Sequence, residues 1–328
     1  MKRARYERRG PVPQDVIEAV DFDAGKPEAG QALIEVLAAP INPSDVLTLT
    51  GEYGMLPPLP AVGGNEGAGR VSEVGAGVQN VLPGQVVLLP VGCGTWTTHV
   101  KVDAARLMPL PAGADPKQLS MLTVNPPTAH LMLTEFVQLA AGDWVIQNAA
   151  NSAVGGYLVQ IAKLRGLKTV NVVRRESAIA AVQKSGGDVV LVDGEDLPKR
   201  VAAATGGAKI RLGIDAVGGM STEHLARALG EGGTLVNYGA MSGEPCMVSP
   251  RSFVFRDITL RGFWLAAWFR KAPPERQRAV FGELVRLIAT NQLSARIQAT
   301  FPIERIKDAV ALAAAGERDG KVLLLPNG

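Results

Sequence analysis

The sequence predicts an α/β protein in two parts, a β-rich first third and a doubly wound parallel sheet of six strands. In the first third of the 328 residues, short apolar runs alternate with glycine- and proline-containing turns. Beyond residue 119, strands and helices alternate at the spacing of βαβ units. Hydrophobic residues make up 47% of the chain and charged residues 20%, a composition that supports packed cores and excludes intrinsic disorder.

The first part consists of short strands. Residues 31–39 read as a strand that Pro40 ends, and residues 67–74 and 84–89 read as two more. Regular spacing of such strands favours a small barrel or sandwich. After residue 265 the chain is too short for a domain of its own, so we expect it to return to the first part. The predicted domains are therefore 1–118 with 266–328, and 119–265.

The second part begins with a helical pattern at 119–139 and continues through strand, turn and helix within about 30 residues, the length of a βαβ unit. Six strands alternating with helices correspond to a complete dinucleotide-binding sheet. The predicted strands are 144–148, 168–173, 189–192, 211–215, 234–238 and 258–262.

The turn after the first of these strands has the position of a phosphate-binding loop. Ala150 and Ser152 stand at the first two glycine positions of the pattern G-x-G-x-x-G, and only Gly155 matches. The helix that follows would present free N–H groups and partial positive charge to a phosphate. The alternative is an ordinary βα turn that binds nothing.

Arg174 and Arg175 follow the second strand, where an NAD site would have Asp or Glu. Paired guanidinium groups would instead hold a 2′-phosphate by charge-assisted hydrogen bonds. The sequence therefore predicts NADPH as the cofactor, with two solvated arginines as the alternative.

Charge and cysteine content limit the partners. The net charge of +3 suits anionic small molecules and falls short of the basic face that nucleic acid needs. Two cysteines, Cys93 and Cys246, imply no disulfide framework and fit a reducing compartment. No apolar stretch approaches the roughly 20 residues of a membrane helix, and no signal peptide is evident. We expect a cytoplasmic protein without membrane or nucleic-acid partners; a non-catalytic NADPH-binding protein remains an alternative.

Several motifs, in order along most of the chain, carry a family resemblance. The chain resembles the zinc-free medium-chain dehydrogenases/reductases, and within them the trans-2-enoyl-CoA (2-enoyl thioester) reductases, with quinone oxidoreductases next. The resemblance implies a GroES-like catalytic domain followed by a Rossmann domain. The matching stretches are 41–45, 51–54, 60–67, 124–126, 145–149, 151–155, 171–174 and 261–265.

The same resemblance implies that no metal is bound. Asn42 stands where zinc-dependent relatives have a cysteine, and Asn65 stands where they have a histidine. His99, His130 and His224 are scattered and lack ligand spacing.

Without a metal, a side chain must stabilise the charge of the transition state. The resemblance places the catalytic tyrosine at Tyr53 and a supporting amide at Asn125. It assigns cofactor contacts to Asn151, Ser152, Ala153, Val154 and Gly155, to Tyr238, Gly239, Ala240 and Met241, to Phe263, Trp264 and Leu265, and to Lys321. Ordinary packing or surface roles are the alternative for each.

The predicted reaction is NADPH-dependent reduction of the carbon–carbon double bond of 2-enoyl thioesters, carried by CoA or acyl carrier protein. The alternative is an NADPH:quinone oxidoreductase or a general activated-alkene reductase. CoA phosphates would require a basic entrance, and the chain is expected to form a homodimer. Candidates for that entrance are Arg270, Lys271, Arg276 and Arg278, and Trp264 with Trp268 would line an acyl pocket or a core.

Overall fold

The computed structural model describes residues 1–316 and 318–328. The chain divides into two compact units, Met1–Val124 with Phe281–Gly328, and Asn125–Val280. The sequence analysis placed the boundaries at 118/119 and 265/266. In the structure they fall at 124/125 and 280/281, so the helix that follows Trp264 belongs to the second unit.

Sixteen strands lie within the described residues. In chain order they are β1 (Lys2–Tyr6), β2 (Ile17–Asp21), β3 (Gln31–Ile41), β4 (Ala61–Val62), β5 (Ala68–Val74), β6 (Val86–Leu88), β7 (His99–Asp103), β8 (Met108–Pro109), β9 (Trp144–Gln147), β10 (Lys168–Val173), β11 (Val189–Val192), β12 (Leu212–Asp215), β13 (Thr234–Asn237), β14 (Thr259–Gly262), β15 (Ile297–Phe301) and β16 (Lys321–Leu324).

Eleven α-helices connect these strands in the described part of the chain. They are α1 (Pro43–Thr50), α2 (Pro116–Leu119), α3 (Asn125–Thr134), α4 (Ala153–Leu164), α5 (Ile179–Lys184), α6 (Leu197–Thr205), α7 (Gly219–Ala228), α8 (Pro250–Arg256), α9 (Leu265–Lys271), α10 (Pro274–Ala289) and α11 (Ile306–Ala314). Short 3₁₀ turns occur at 13–15, 104–106, 176–178 and 303–305.

The second unit contains the predicted doubly wound sheet. Its six strands are ordered β11-β10-β9-β12-β13-β14, and every neighbouring pair is parallel. Ile146, Val170 and Leu235 are fully buried in a core that the sheet forms with its helices. A parallel sheet covered on its faces requires near-continuous apolar strands, which is why the sequence predicts it well.

The first unit is rich in β structure, as predicted. One sheet has the order β15-β16-β3-β5-β6-β8, with β7 paired to β3, and a smaller one has the order β2-β1-β4. The C-terminal segment contributes to this unit, because β16 pairs antiparallel with β3. Tyr6, Trp96 and Val322 are buried together in the core of this unit.

Two sequence predictions of element boundaries are wrong. The strand from residue 31 continues through Pro40, which pairs with Leu323 and accepts the indole N–H of Trp96 at 3.2 Å. A proline lacks only the backbone donor, so its carbonyl group still contributes to the strand. The helical pattern at 119–139 forms an α-helix only over α3, which begins at Asn125 because Pro126 and Pro127 are tolerated only in a first helical turn; α2 already ends at Leu119.

Within the described residues, none of the helices has both the length and the apolar character that a bilayer span requires.

Candidate functional site

The predicted cofactor residues of the second unit lie at one edge of its sheet. The loop that starts at Ala149 follows β9, Arg174 follows β10, Tyr238 follows β13 and Phe263 follows β14. Because all six strands are parallel, these segments share the carboxyl edge of the sheet. Doubly wound sheets bind their ligands at this edge.

The loop between β9 and α4 leads directly into the N-terminus of a twelve-residue helix. Ser152 is the N-cap, and its hydroxyl oxygen accepts the backbone N–H of Gly155 at 3.1 Å. Ala149 adopts a left-handed backbone with φ 46°. The helix axis therefore directs its positive end and its first backbone amides toward this edge, the arrangement that binds phosphate groups.

Gly155 meets the steric requirement that its position in the motif predicts. A Cβ atom on this residue would lie 2.5 Å from the carbonyl oxygen of Ala150 and 2.8 Å from its Cα. Both are backbone atoms of the preceding loop, so no side-chain rotation relieves the contact. The first turn of α4 can approach the strand this closely only because residue 155 has no side chain.

A series of buried side-chain hydrogen bonds lies beneath this helix, and the sequence analysis did not predict it. The Nε2 group of Gln147 donates to the carbonyl oxygen of Gly155 at 3.1 Å and to Oδ1 of Asn171 at 2.8 Å. Asn171 donates in turn to Oγ1 of Thr169 at 2.9 Å. The sequence did contain a signal for these hydrogen bonds. Gln and Asn occur inside otherwise apolar strands, and buried amide groups need hydrogen-bond partners.

A second buried group organises the loops on the other side of β9. Asp215, fully buried at the end of β12, accepts hydrogen bonds from Asn148 at 2.6 Å, Thr222 at 2.7 Å and Asn237 at 3.0 Å. Its backbone oxygen accepts the N–H of Tyr238 at 2.9 Å. One carboxylate thus ties three strand ends together, a role that the sequence analysis missed.

Tyr238 and the phosphate-binding loop are in contact. Burial raises the pKa of the Tyr238 phenol, while a hydrogen bond with the side chain of Ser152 acts in the opposite direction. The segment 238–241 is therefore fixed against the N-cap of α4. The structure brings these two predicted cofactor segments together.

Arg174 and Arg175 lie directly after β10, at the carboxyl edge of the sheet. They follow Val173, which is paired with Val192 in the sheet. Arg174 is exposed and Arg175 is half-buried at the start of a 3₁₀ turn. Their predicted role in cofactor choice remains a prediction.

An aromatic and basic cluster follows β14. The Phe263 ring packs edge-on against Phe136 at a centroid distance of 5.9 Å. Trp264 is 38% exposed and is the N-cap of α9, and the guanidinium group of Arg270 lies 4.7 Å from its ring centroid. The cluster presents flat apolar surface beside positive charge.

Two further predicted residues of the second unit lie nearby in the chain. Asn125 is buried as the first residue of α3, the helix that packs against α4. Leu265 is half-buried at the start of α9.

Tyr53 lies in the first unit, directly after α1. The backbone N–H groups of Gly51, Glu52 and Tyr53 all donate to the carbonyl oxygen of Leu47, at 3.0, 2.9 and 3.2 Å. Gly51 has φ 90°, a left-handed conformation that ends the helix and suits glycine. The half-buried Tyr53 is therefore held to the end of α1 by its own backbone.

The two asparagines at the zinc-ligand positions belong to a buried hydrogen-bond network. Asn42 donates through Nδ2 to Oε1 of Glu66 at 2.7 Å, and its Oδ1 accepts from the ammonium group of Lys321. Asn65 donates through Nδ2 to Oδ1 of Asp45 at 2.6 Å. The second carboxylate oxygen of Glu66 accepts the backbone N–H groups of residues 123 and 124 at 3.0 and 2.9 Å.

Burial perturbs every ionisable member of this network. Desolvation raises the pKa of Asp45 to about 6, and hydrogen bonds from Asn42 and Asn65 limit the rise. Desolvation also raises the pKa of Glu66 and lowers that of Lys321, and the attraction between these two charges opposes both shifts. The predicted cofactor contact of Lys321 stays a prediction; its hydrogen bonds to Asn42 and the Ile41 carbonyl hold it within the first unit.

This network does not fit a zinc ion. Zinc is held by thiolate, imidazole or carboxylate groups. Here amides replace the expected thiolate and imidazole, an ammonium group lies against one of them, and N–H donors already contact both carboxylates. In the part of the chain that the structure describes, no group of three or more His, Cys, Asp or Glu side chains is arranged to hold a metal.

Comparisons with known families match both units. The GroES-like domain of alcohol dehydrogenases matches residues 28–112, and the zinc-binding dehydrogenase domain matches residues 153–288. The mitochondrial enoyl-[acyl-carrier-protein] reductase of Rattus norvegicus is 38% identical over 304 residues, which cover 91% of this chain and 82% of the relative.

Two solved structures are similar over almost the whole chain. A complex of Etr1p with NADP and crotonyl-CoA has a TM-score of 0.89 at 26% identity and covers 99% of both chains. A protein of Bacillus thuringiensis assigned as an NADPH:quinone reductase has a TM-score of 0.89 at 28% identity, covering 99% of this chain and 98% of the other.

Proposed function

The chain belongs to the enoyl thioester reductase group of the medium-chain dehydrogenases/reductases, and on that premise we propose that it reduces 2-enoyl thioesters with NADPH. The observation that carries the proposal is the buried network at Asn42 and Asn65. Its two amides stand where zinc-dependent relatives have ligands, and an ammonium group lies against one of them, so carbonyl polarisation falls to a protein side chain. Tyr53 is our candidate.

The chemistry needs one donor at the thioester oxygen. Bound NADPH supplies the hydride that adds to the β carbon of the substrate. Tyr53 donates a hydrogen bond to the thioester oxygen, where negative charge develops as the enolate forms. The same hydroxyl group then delivers a proton toward the α carbon, which completes the saturated thioester. Asn125, the first residue of α3, is proposed to support the nicotinamide.

Removing the hydroxyl group tests this mechanism. Tyr53→Phe is expected to lower the turnover of crotonyl-CoA by about 10²-fold, the scale of one general acid or oxyanion donor, with unchanged NADPH affinity. Tyr157→Phe is the matched control, because Tyr157 is buried in α4 and its loss leaves Tyr53 in place. A folded Tyr53→Phe variant with wild-type turnover excludes Tyr53 from the reaction.

We propose that Arg174 and Arg175 select NADPH over NADH by holding the 2′-phosphate. The steric fit of Gly155 and the helix N-terminus at Ser152 support a dinucleotide at this edge. Arg174→Asp combined with Arg175→Ala is expected to weaken NADPH binding far more than NADH binding. Arg165→Asp, at the exposed residue that caps the C-terminus of α4, is the control for a loss of positive charge elsewhere on the same unit. Equal loss for both cofactors contradicts the assignment.

The second candidate function is quinone reduction. It is favoured by the similarity to the assigned NADPH:quinone reductase, whose identity of 28% exceeds the 26% of Etr1p. Parallel assays with NADPH and crotonyl-CoA, a longer trans-2-enoyl-CoA or a quinone decide between the two. A kcat/KM higher for the quinone than for both thioesters would reverse our order of preference.

The substrate carrier is proposed to contact the basic cluster of the second unit. Arg270, Lys271, Arg276 and Arg278 are all exposed on α9 and α10, and Arg276 also pairs with Glu135. A CoA ester carries phosphates that such a surface would attract. The expected sign is a higher KM for crotonyl-CoA, with unchanged kcat, when Arg270 and Lys271 are both replaced by Glu.

We propose that two chains associate as a homodimer through their second units. β14 is an edge strand of the six-stranded sheet, and beside it α8 exposes Val254 by 69% and Phe255 by 78%. Glu223 holds α8 in place by accepting hydrogen bonds from Ser249 at 2.7 and 2.8 Å. An open strand edge next to exposed apolar residues is a ready site for strand pairing. Light scattering should give a dimer mass that Val254→Arg/Phe255→Arg lowers to that of one chain.

Cytoplasmic location remains a proposal. Both cysteines are free thiols, which fits a reducing compartment. The matched rat relative is a mitochondrial enzyme. Fractionation of the native organism, with cytoplasmic recovery as the expected result, tests the proposal.

A further inference from the structure

Helix α1 connects the buried network to the loop that carries Tyr53. At its N-terminus, the carboxylate of Asp45 accepts the backbone N–H of Asn42 at 2.8 Å and the side-chain amide of Asn65 at 2.6 Å. Asp45 and Asn42 are both buried. The start of the helix is therefore attached to β3 through Asn42 and to the segment after β4 through Asn65.

The other end of the same helix is attached to Tyr53. Three consecutive amides, ending with that of Tyr53, donate to the carbonyl oxygen of Leu47. Leu49 is buried in the core of the first unit and holds the second turn. At 1.5 Å per residue, the eight residues of α1 span about 12 Å. Asp45 and Tyr53 are thus connected through the two turns of α1 and the hydrogen bonds at its end.

We propose that Asp45 and Asn65 are positioning residues that set the location of the Tyr53 hydroxyl through α1. This inference rests on the proposed function, in which Tyr53 acts on the substrate. A donor misplaced by about 1 Å can lower a rate by about 10²-fold. Fixing the start of α1 therefore helps to maintain the turnover rate. The pair acts on turnover, whereas the proposed cofactor residues, apart from Lys321, lie in the second unit.

The carboxylate and the amide form a pair that can be exchanged. In Asp45→Asn, the new amide still accepts the N–H of Asn42 through its oxygen, but its NH₂ group faces the NH₂ group of Asn65 until the Asn65 amide turns over, so the pair loses the geometry that the carboxylate sets. In Asp45→Asn/Asn65→Asp, the partners trade places, which restores a donor facing an acceptor and keeps the charge at the site. A positioning role therefore predicts loss in the single variant and recovery in the exchanged one.

The test is a double-mutant cycle with Tyr53→Phe, assayed with crotonyl-CoA and NADPH. Asp45→Asn should lower kcat by about tenfold with unchanged NADPH KM, and the exchanged pair should recover at least a third of wild-type kcat. In the Tyr53→Phe background, Asp45→Asn should have no further effect on kcat. Equal falls in both backgrounds, or full kcat in a folded Asp45→Asn enzyme, would overturn the proposal.

Two further variants keep the test decisive. Asn65→Ala removes only the hydrogen bond to Asp45, and it replaces Asp45→Asn in the cycle if that variant does not fold. Thr97→Val is the structural control, because it removes a part-buried 2.8 Å hydrogen bond to the backbone carbonyl oxygen of His99, in the same unit but outside α1. It should lower Tm with wild-type kcat. If Tyr53→Phe itself retains full kcat, the proposed function fails; if it is slow but additive with Asp45→Asn, only the positioning role fails.

Discussion

Two adjacent glycines in the first turn of α4 should respond in opposite directions to the same substitution. In Gly155→Ala, the new Cβ lies 2.5 Å from the carbonyl oxygen of Ala150, and ordinary contact begins near 3.4 Å. The helix start must therefore move by about 0.9 Å against backbone atoms. In Gly156→Ala, the new Cβ meets nothing within 4 Å.

The energies follow from these contacts. Overpacking costs about 1–3 kcal/mol. The displaced helix also weakens the hydrogen bonds of Gly155 with Ser152 and Gln147, both 3.1 Å long, at about 1 kcal/mol each. We expect Gly155→Ala to lower the free energy of unfolding by about 2–4 kcal/mol after the helix-propensity gain of alanine. Gly156→Ala receives only that gain, about 0.5–1 kcal/mol.

Thermal and urea unfolding of the two variants measure this difference. For a unit of this size, a change of 1 kcal/mol in the free energy of unfolding corresponds to about 2–4 °C in Tm. The Tm of Gly155→Ala should therefore be about 5–15 °C lower than that of the wild type, and the Tm of Gly156→Ala about 1–3 °C higher. NADPH titration should show weaker binding only for Gly155→Ala. Equal Tm changes in the two variants would refute the assignment of Gly155 as the close-approach position.

Three further predictions concern buried or strained groups. Glu66→Gln should lower the free energy of unfolding by about 3 kcal/mol or more in urea titrations, because its NH₂ group must face backbone or side-chain N–H donors that now contact carboxylate. The pKa of Asp45 is raised to about 6 by burial, so its ionised form costs the fold free energy at neutral pH, and this cost is relieved as the pH falls. When the pH is lowered from 7 to 5, the free energy of unfolding of the wild type should rise by about 1 kcal/mol relative to that of Asp45→Asn. The same difference between the two proteins at both pH values contradicts this prediction. Ala149→Gly should raise the free energy of unfolding by about 0.5–1 kcal/mol, and with it the Tm, because a backbone φ of 46° strains alanine. A lower Tm for this variant contradicts that strain.

The sequence predicted the doubly wound sheet because its signals are local. Apolar strands, intervening helices and the Gly155 position each depend on residues close together in the chain. Pro40 and the helical pattern at 119–139 show the limit of such reasoning. A proline ends a strand only where its missing N–H is needed, and whether a neighbour needs it depends on a partner strand far along the chain.

The candidate site divides in the same way. The loop after β9 and the arginines after β10 were visible as motifs, because a parallel sheet brings strand ends to one edge whatever its side-chain packing. The network around Asn42 was not visible, since Lys321 lies 279 residues away in the chain and the register of β16 against β3 brings it there. Gln147 and Asp215 likewise acquired their roles from buried partners on other strands. Sequence alone determined which segments fold as strands and helices, because that depends on local periodicity. Only the tertiary structure decided which buried polar groups meet, because each needs a partner that packing supplies.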